Sequence, residues 1–335
     1  MAVLANTVET YDNSVIREDL QEAYVMISPE ETPFQQVIRS DTADNVLFEW
    51  PVVELAAVDA GNRVIEGEAA PALNTGNLAL RLSNFTQISD KVVSVSHTSD
   101  AVTAAAQNIQ RLATQITLKM REMKRDKETM LLSNVAAAAG SSGTARVTAG
   151  LPAFLRTNVV FEAGGANPTL SGTTEGYPNA IATPGTTAVL FAEADLNSLI
   201  EDIWNEGGNP SIIMVNSGNK RRVSQAFTGN ATRYKDTVDR SIVNAIDIYD
   251  SDFGQLTVVP NRLQPTNNPA SDNDSYNVFV MDPEYIAVAY LETVQQKPLA
   301  KTGHADSVLV WCEYGLQVDN EKAMGIRRDT TNAPS

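Results

Sequence analysis

The sequence is poor in the residues that carry most metal and redox chemistry. One cysteine, Cys312, and two histidines, His97 and His304, occur in 335 residues. A single cysteine excludes a disulfide framework within the chain, and this set leaves little for zinc. Aromatic residues make up 6%, so the core must be mainly aliphatic. No apolar run approaches the ~18 residues of a membrane span. The first ten residues contain Glu9 and lack the charged-then-apolar pattern of a signal peptide, so the expected place of synthesis is the cytoplasm. Positive charge is also scarce: 25 Lys and Arg stand against 41 Asp and Glu, a net charge of −16. A general nucleic-acid binder needs a basic face. This balance repels DNA rather than holding it.

Signatures of chemistry are missing as well. Ser217-Gly218-Asn219-Lys220 lacks the first glycine and the Gly-Lys-Ser/Thr ending of a phosphate loop. No G-x-G-x-x-G, H-E-x-x-H or G-x-S-x-G occurs. Asp272-Asn273-Asp274 opens like a calcium loop, but Asn277 stands where glycine belongs and Pro283 where glutamate belongs. A solvated loop is the better reading, and no metal or cofactor is expected. His97 and His304 are either structural or half of a catalytic pair assembled across the sequence, as in an α+β hydrolase. Cys312 sits at an inward-looking strand position, typical of an inert buried thiol.

What the chain does have is length and pattern. Hydrophobic residues at 43% fit a real core. From Asp100 to about Asn134, small or apolar residues recur every three or four positions, including Val102, Ile109, Leu112, Ile116, Met120, Met123 and Leu131. That stripe predicts one helix about 50 Å long, capped by Thr98, Ser99 or Asp100 and trailing into an Ala tail before Gly140. Its methionines read as core filler. Its charged half, Lys119 to Glu128, mixes both signs and reads as a solvated or interchain face. Such a helix cannot bury its stripe on itself.

The rest follows in order. Asn13 to Met26 could hold a short helix. Ser28 to Pro33 starts a turn leading to Phe34, Val37 and Ile38. Residues 46–97 read as β: Val46 to Leu55, with Pro51 marking an edge or bulge, then alternation at Leu78, Leu80, Leu82, Val93 and Val95. Between them runs a small-residue, polar excursion from Ala56 to Gly76 carrying Arg63, Glu66 and Glu68. A lone hairpin is marginal in water, so this one either folds back or needs a partner surface. Asn158 to Pro184 reads as a long surface loop. Glu193 to Glu206 is a helix with Leu196, Leu199, Ile200, Ile203 and Trp204 on one face, stopped at Gly207. Ser211 to Val215 is a buried strand, and Ser217 caps a helix to Phe227. Ile242 to Tyr249 and Gln255 to Val259 suggest a hairpin; Tyr276 to Met281 and Tyr285 to Leu291 flank an Asp282-Pro283 turn. Val308 to Asp319 is the clearest strand, and Arg327 onward reads as a polar tail. Lys220, Arg221 and Arg222 form the densest basic cluster, read as a solvated face with intersubunit ion pairs rather than a nucleic-acid site.

The order of these parts resembles the major capsid proteins of tailed bacteriophages, of the Hong Kong 97 type. The phrases "ETPFQQVI" (Glu31 to Ile38), "GGNPSIIMVN" (Gly207 to Asn216), "MDPEYIAVAYL" (Met281 to Leu291) and "EYGLQVDNEKAMGIRRD" (Glu313 to Asp329) are similar to phrases of that family. The resemblance implies an α+β fold with an N-terminal arm (1–45), an extended loop (46–97), a peripheral domain with a spine helix (98–150 and 305–335) and an axial domain (151–304). It implies no enzyme but a shell protein assembling as hexamers and pentamers of an icosahedral virion head around double-stranded DNA. Portal, scaffolding and decoration proteins are the implied partners; an encapsulin-like compartment shares the fold. Arg63, Glu66, Glu68, Lys220, Arg221 and Arg222 are the candidate intersubunit residues. Some relatives crosslink a loop lysine to a neighbour, but Ala56 to Gly76 holds no lysine and Lys91 lies near the base. Contacts between copies are therefore expected to be non-covalent. With few residues before the arm in this sequence, scaffolding, if used, is expected to be a separate protein.

Overall fold

A computed structural model describes residues 28–67, 77–101, 111–227, 234–235, 242–243, 247–267, 275–301 and 303–331. The expected helix within 13–26 and the stretch 102–110 lie outside them. The helices are α1 (Pro33–Val37), α2 (His97–Ala101), α3 (Leu112–Leu132), α4 (Leu151–Phe154), α5 (Glu193–Asn205) and α6 (Ser217–Ala226). The strands run β1 (Arg39–Thr42), β2 (Leu47–Val52), β3 (Leu80–Phe85), β4 (Gln87–Ser96), β5 (Val159–Val160), β6 (Ile212–Val215), β7 (Tyr234–Lys235), β8 (Ile242–Val243), β9 (Ile248–Ser251), β10 (Gly254–Pro260), β11 (Ser275–Met281), β12 (Ile286–Pro298), β13 (Ala305–Val318) and β14 (Gly325–Thr331). Two compact units form. One draws on the described residues of Met1–Ser28, Lys91–Met120 and Gln296–Val310; the other on those of Pro29–Asp90, Arg121–Gln295 and Trp311–Ser335.

The larger unit is built on a six-stranded sheet of order β5-β14-β11-β6-β10-β9. Ile213, Val215, Leu256, Val258, Val278 and Val280 alternate along β6, β10 and β11, so they share one face. Against that face α5 lays Leu196, Leu199, Ile200 and Ile203, and α6 lays Val223; Phe227 follows at its end. Each such aliphatic burial stabilises by about 2 kcal/mol. Trp204, expected on the same stripe, is instead 55% exposed and stacks on Phe253 at 5.3 Å. Gly207, at φ 92°, ends the helix as anticipated. The cap of α6 is Asn216, not Ser217: its side chain accepts the Asn219 N–H at 3.0 Å.

Two further expectations change. Of the expected 242–249 strand, the described residues form β8, which pairs with β7, and the start of β9, which pairs with β10 across residues 252–253. The Asp282-Pro283 turn does separate two strands, β11 and β12, as expected. Asp282 caps a 3₁₀ turn at Pro283–Tyr285, and the chain passes from the six-stranded sheet into a second sheet of order β1-β12-β13-β4. Residues 158–184 are irregular but pinned rather than free, with Asn158 and Ala182 buried and β5 paired to β14.

The expectation of a polar tail from Arg327 onward fails over the described residues of that stretch, 327–331. β14 is an interior strand, and Arg327, Arg328, Asp329 and Thr330 are at most 2% exposed. Buried charge is tolerated when paired or hydrogen-bonded; Arg327 is ion-paired, and Arg328 and Asp329 are hydrogen-bonded, although Arg328 Nε has no partner. Arg327 donates through Nε to Asp195 at 2.8 Å and through Nη2 to Glu162 at 2.5 Å. Arg328 donates to the carbonyls of Leu155 and Ala166 at 2.7 and 3.1 Å, and burial pushes its guanidinium down to about 10. The Asp329 carboxylate accepts from Gly185 N–H, Asn267 Nδ2 and Ser275 Oγ at 2.9, 3.0 and 3.3 Å. Arg328 and Asp329 together face the single Asn277, a bulge that places Asp329 at φ 59°.

Among the described residues the long helix is regular over α3, with 102–110 outside them. Ser96, not Thr98 to Asp100, accepts the Ser99 N–H that starts α2. α3 ends at Leu132, and the Ala tail is not helical. Gly150 then passes so close to the Ser133 carbonyl that an added Cβ would lie 1.9 Å from it. The buried face of α3 carries Met123 and Leu131 as expected, but also Leu132, Lys127 and Glu128. Those two charges are therefore not on a solvated face.

Candidate functional site

The base of the extended loop is firmly held. β2 and β3 pair antiparallel from Leu47↔Phe85 to Val52↔Leu80. Pro51 is accommodated because β2 pairs on one side only. Trp50 packs against Phe48 and Phe154, with centroids at 5.7 and 6.2 Å, and donates its indole N–H to the Val318 carbonyl at 2.9 Å. Asn84, fully buried, donates to Thr148 Oγ1 and the Leu316 carbonyl and accepts from the Ala149 N–H. At the loop root Lys322 bridges Glu54 and Glu206 at 3.3 and 3.1 Å. The hydrogen bond to Glu206 leads in raising its pKa above the usual lysine range.

Beyond Val52 the chain leaves this support. The two-stranded part stops there, and residues 53–67 and 77–79 are exposed without regular strand. Among the described residues the excursion is therefore two-stranded at its base, from Leu47–Val52 to Leu80–Phe85. Its large aliphatic side chains face solvent: Leu55 is 88% exposed, Val58 98% and Leu78 80%, with Val53, Val64 and Ile65 between 58% and 78%. Isolated exposed aliphatics are ordinary. Six occur together on one excursion whose base is held by Trp50, Asn84 and Lys322.

The expected charged residues fall into separate groups. Arg63 and Glu66 are exposed on this loop and form no ion pair among the described residues. Glu68 lies outside them. The basic cluster on α6 divides. Lys220 pairs with Asp247 at 3.0 Å, and Arg222 donates to the Phe191 carbonyl at 3.3 Å. Arg221 alone points into solvent. The cluster is thus a helix face with two of its three charges satisfied by their own chain.

In the smaller unit the two histidines do meet. Their rings stack at 4.6 Å, and His97 Nε2 lies 3.5 Å from Asp306. Lys301 pairs with Asp306 and holds its carboxyl below the usual range. Neither imidazole is hydrogen-bonded to a hydroxyl or thiol among the described residues, so no nucleophile–base pair is assembled there. Cys312 is buried, contacts Met123 sulfur at 3.8 Å, and burial raises its pKa. No described helix is long and apolar enough to cross a membrane.

Sequence reasoning missed Glu128. It accepts the backbone N–H groups of Phe34 and Gln35 at 2.8 and 3.1 Å, Gln35 Nε2 at 2.9 Å and Asn261 Nδ2 at 2.8 Å. One buried carboxylate thereby fastens the "ETPFQQVI" segment to α3. The one available signal was its helical spacing of three and four from Leu131 and Leu132, which charge outvoted.

Comparison with known proteins places this architecture. The major capsid protein of Escherichia phage Phieco32 is 26% identical over 330 residues, covering 90% of each chain. Among solved structures, the capsid of cyanophage P-SCSP1u superposes with a TM-score of 0.57 at 11% identity, covering 98% of this chain and 97% of that one. The holo-SrpI encapsulin of Synechococcus elongatus PCC 7942 does so with a TM-score of 0.57 at 12% identity, covering 98% and 97%. The fold is Hong Kong 97-like, of the α+β class. The sequence pattern of the SU10 major capsid protein family matches residues 4–331, and the chain belongs to that family of phage capsid proteins.

Proposed function

We propose that this chain assembles through hexamers and pentamers into an icosahedral phage head that encloses double-stranded DNA. The observation that carries the reading is the row of exposed aliphatic side chains from Val53 to Leu78 on a loop with a rigid base. In this reading residues 1–45 are the arm and 46–97 the extended loop laid over the next copy. Residues 98–150 and 305–335 form the peripheral domain and 151–304 the axial domain, with β14 returning into the sheet of the latter. Interface burial repeated by symmetry drives closure. The absence of lysine from Ala56 to Gly76 keeps the loop contact non-covalent. A net charge of −16 leaves packaged DNA mobile rather than bound. Portal, scaffolding and decoration proteins are the proposed partners, with synthesis in the host cytoplasm.

The encapsulin neighbour supports a second reading, a shell of the same fold loaded with protein cargo. Negative-stain microscopy and light scattering of the purified chain, alone and with co-expressed phage partners, test assembly. Closed shells or capsomer rings support it; a monodisperse monomer across concentration, salt and pH contradicts it. Nuclease-protected double-stranded DNA in mature particles separates the head from a cargo compartment.

A further inference from the structure

The loop's charged residue Arg63 has a complement elsewhere on the molecule. β1 pairs with β12 along one edge, and among the described residues nothing pairs with its other edge. All four β1 residues are exposed. Beside them lies a recess of about 530 Å³ lined by Asp41, Thr42, Tyr290, Glu292 and Trp311, among others. Two of these are aromatic and two are carboxylates. The Trp311 indole N–H donates to Glu292 Oε2 at 2.7 Å, and Lys127 donates to the Tyr290 hydroxyl, so both rings are held in place.

The extended loop presents the matching chemistry. Asp59 to Arg63 form a turn closed by Asn62 N–H to Asp59 O and Arg63 N–H to Gly61 O, at 3.4 and 2.8 Å. The turn displays the Arg63 guanidinium, which pairs with no carboxylate among the described residues, next to Val64 at 70% exposure. A guanidinium beside an aliphatic group suits a recess that offers carboxylates beside aromatic faces. The volume falls within the range of side-chain and small-ligand sites, about 300–1,000 Å³. From Val52 to Val64 an extended chain spans at most about 40 Å, enough to lie across an adjoining copy.

We infer that the Arg63–Val64 turn of one copy seats in the recess beside β1 of a second copy, with Arg63 facing Asp41 and Glu292. This rests on the assembly reading above and gives its loop a specific receiving surface. Charge complementarity of this kind sets partner register and excludes wrong pairings.

The test uses the full chain under conditions where the wild type forms shells. Arg63→Glu is expected to lower shell yield about tenfold, and adding Asp41→Arg to restore it to within about threefold of wild type. Independently, Val64→Cys combined with Thr42→Cys is oxidised in assembled particles and run on a non-reducing gel. The native thiol, Cys312, is buried and supplies no background. A ladder of linked copies is expected. Monomers alone, or a link within one chain, overturn the inference, as does an Arg63→Glu variant that assembles normally. Thermal melts identify any variant that fails to fold, and the cysteine pair then decides. Loss of shells from the wild type instead sinks the assembly reading.

Discussion

The Phe34 N–H donates to Glu128 Oε1 at 2.8 Å, joining residues 94 positions apart. Thr32, the residue before α1, supplies no side-chain cap. Glu128 fills that role from α3, so a carboxylate with negative charge meets the exposed N–H groups of a helix start. Phe34 itself is fully buried.

Glu128→Ala removes four hydrogen bonds and leaves the Phe34 and Gln35 backbone N–H groups without an acceptor, while Gln35 Nε2 keeps the Lys124 carbonyl. The expected loss is about 3 kcal/mol, from the range for hydrogen bonds to charged groups plus donors left unsatisfied. Urea denaturation of unassembled protein measures it. Limited proteolysis should cut faster near Pro33 in the variant.

Arg327 is 2% exposed between Glu162 and Asp195. Arg327→Met strands two carboxylates next to a central strand, and breaking one side of a buried pair costs about 3–5 kcal/mol. A triple change that also makes Glu162→Leu and Asp195→Leu should recover much of that loss. A denaturation series over these variants checks both statements.

Lys322 links the loop root to α5, and its partners raise its pKa above the model-compound value of 10.5. A cation with a raised native pKa contributes stability that is fully present below its unfolded pKa. That contribution disappears as pH rises through the native pKa. Lys322→Met should therefore be less stable than wild type at about pH 8, and the gap should narrow as pH rises through the raised native pKa of Lys322. Denaturation midpoints across that rise measure it.

Leu55, Val58, Val64 and Leu78 touch little in their own chain. Replacing all four with serine should leave monomer stability within about 0.5 kcal/mol, as for ordinary surface changes. Shell formation should be lost. Melting curves and sedimentation of the same preparation separate the two effects.

The parts legible in the sequence are those where hydrophobic periodicity decides burial. Leu196, Leu199, Ile200 and Ile203 on α5, and Cys312, Tyr314, Leu316 and Val318 on β13, lie where their spacing put them. The need of the 46–97 excursion for a partner surface was legible, but its uncovered aliphatics beyond Val52 were not, because the stretch from Ala56 to Gly76 reads as polar and small-residue. Charged residues defeated the same logic. Lys127, Glu128, Arg327, Arg328 and Asp329 read as solvent-facing, since charge usually marks a surface. Their burial depends on partners far away in sequence, such as Tyr290, Phe34, Glu162, Leu155 and Asn267. Trp204 erred in the other direction: its spacing matched the buried stripe, but the end of α5 extends past the sheet face to Phe253.

The central claim is that residues 53–67 are completed by another copy of the same chain. An electron cryomicroscopy map of the assembled particle tests it most directly. The account predicts a closed shell in which Leu55, Val58 and Val64 lie against a neighbouring subunit. A map in which that loop packs wholly on its own chain, with no other copy touching it, contradicts the account.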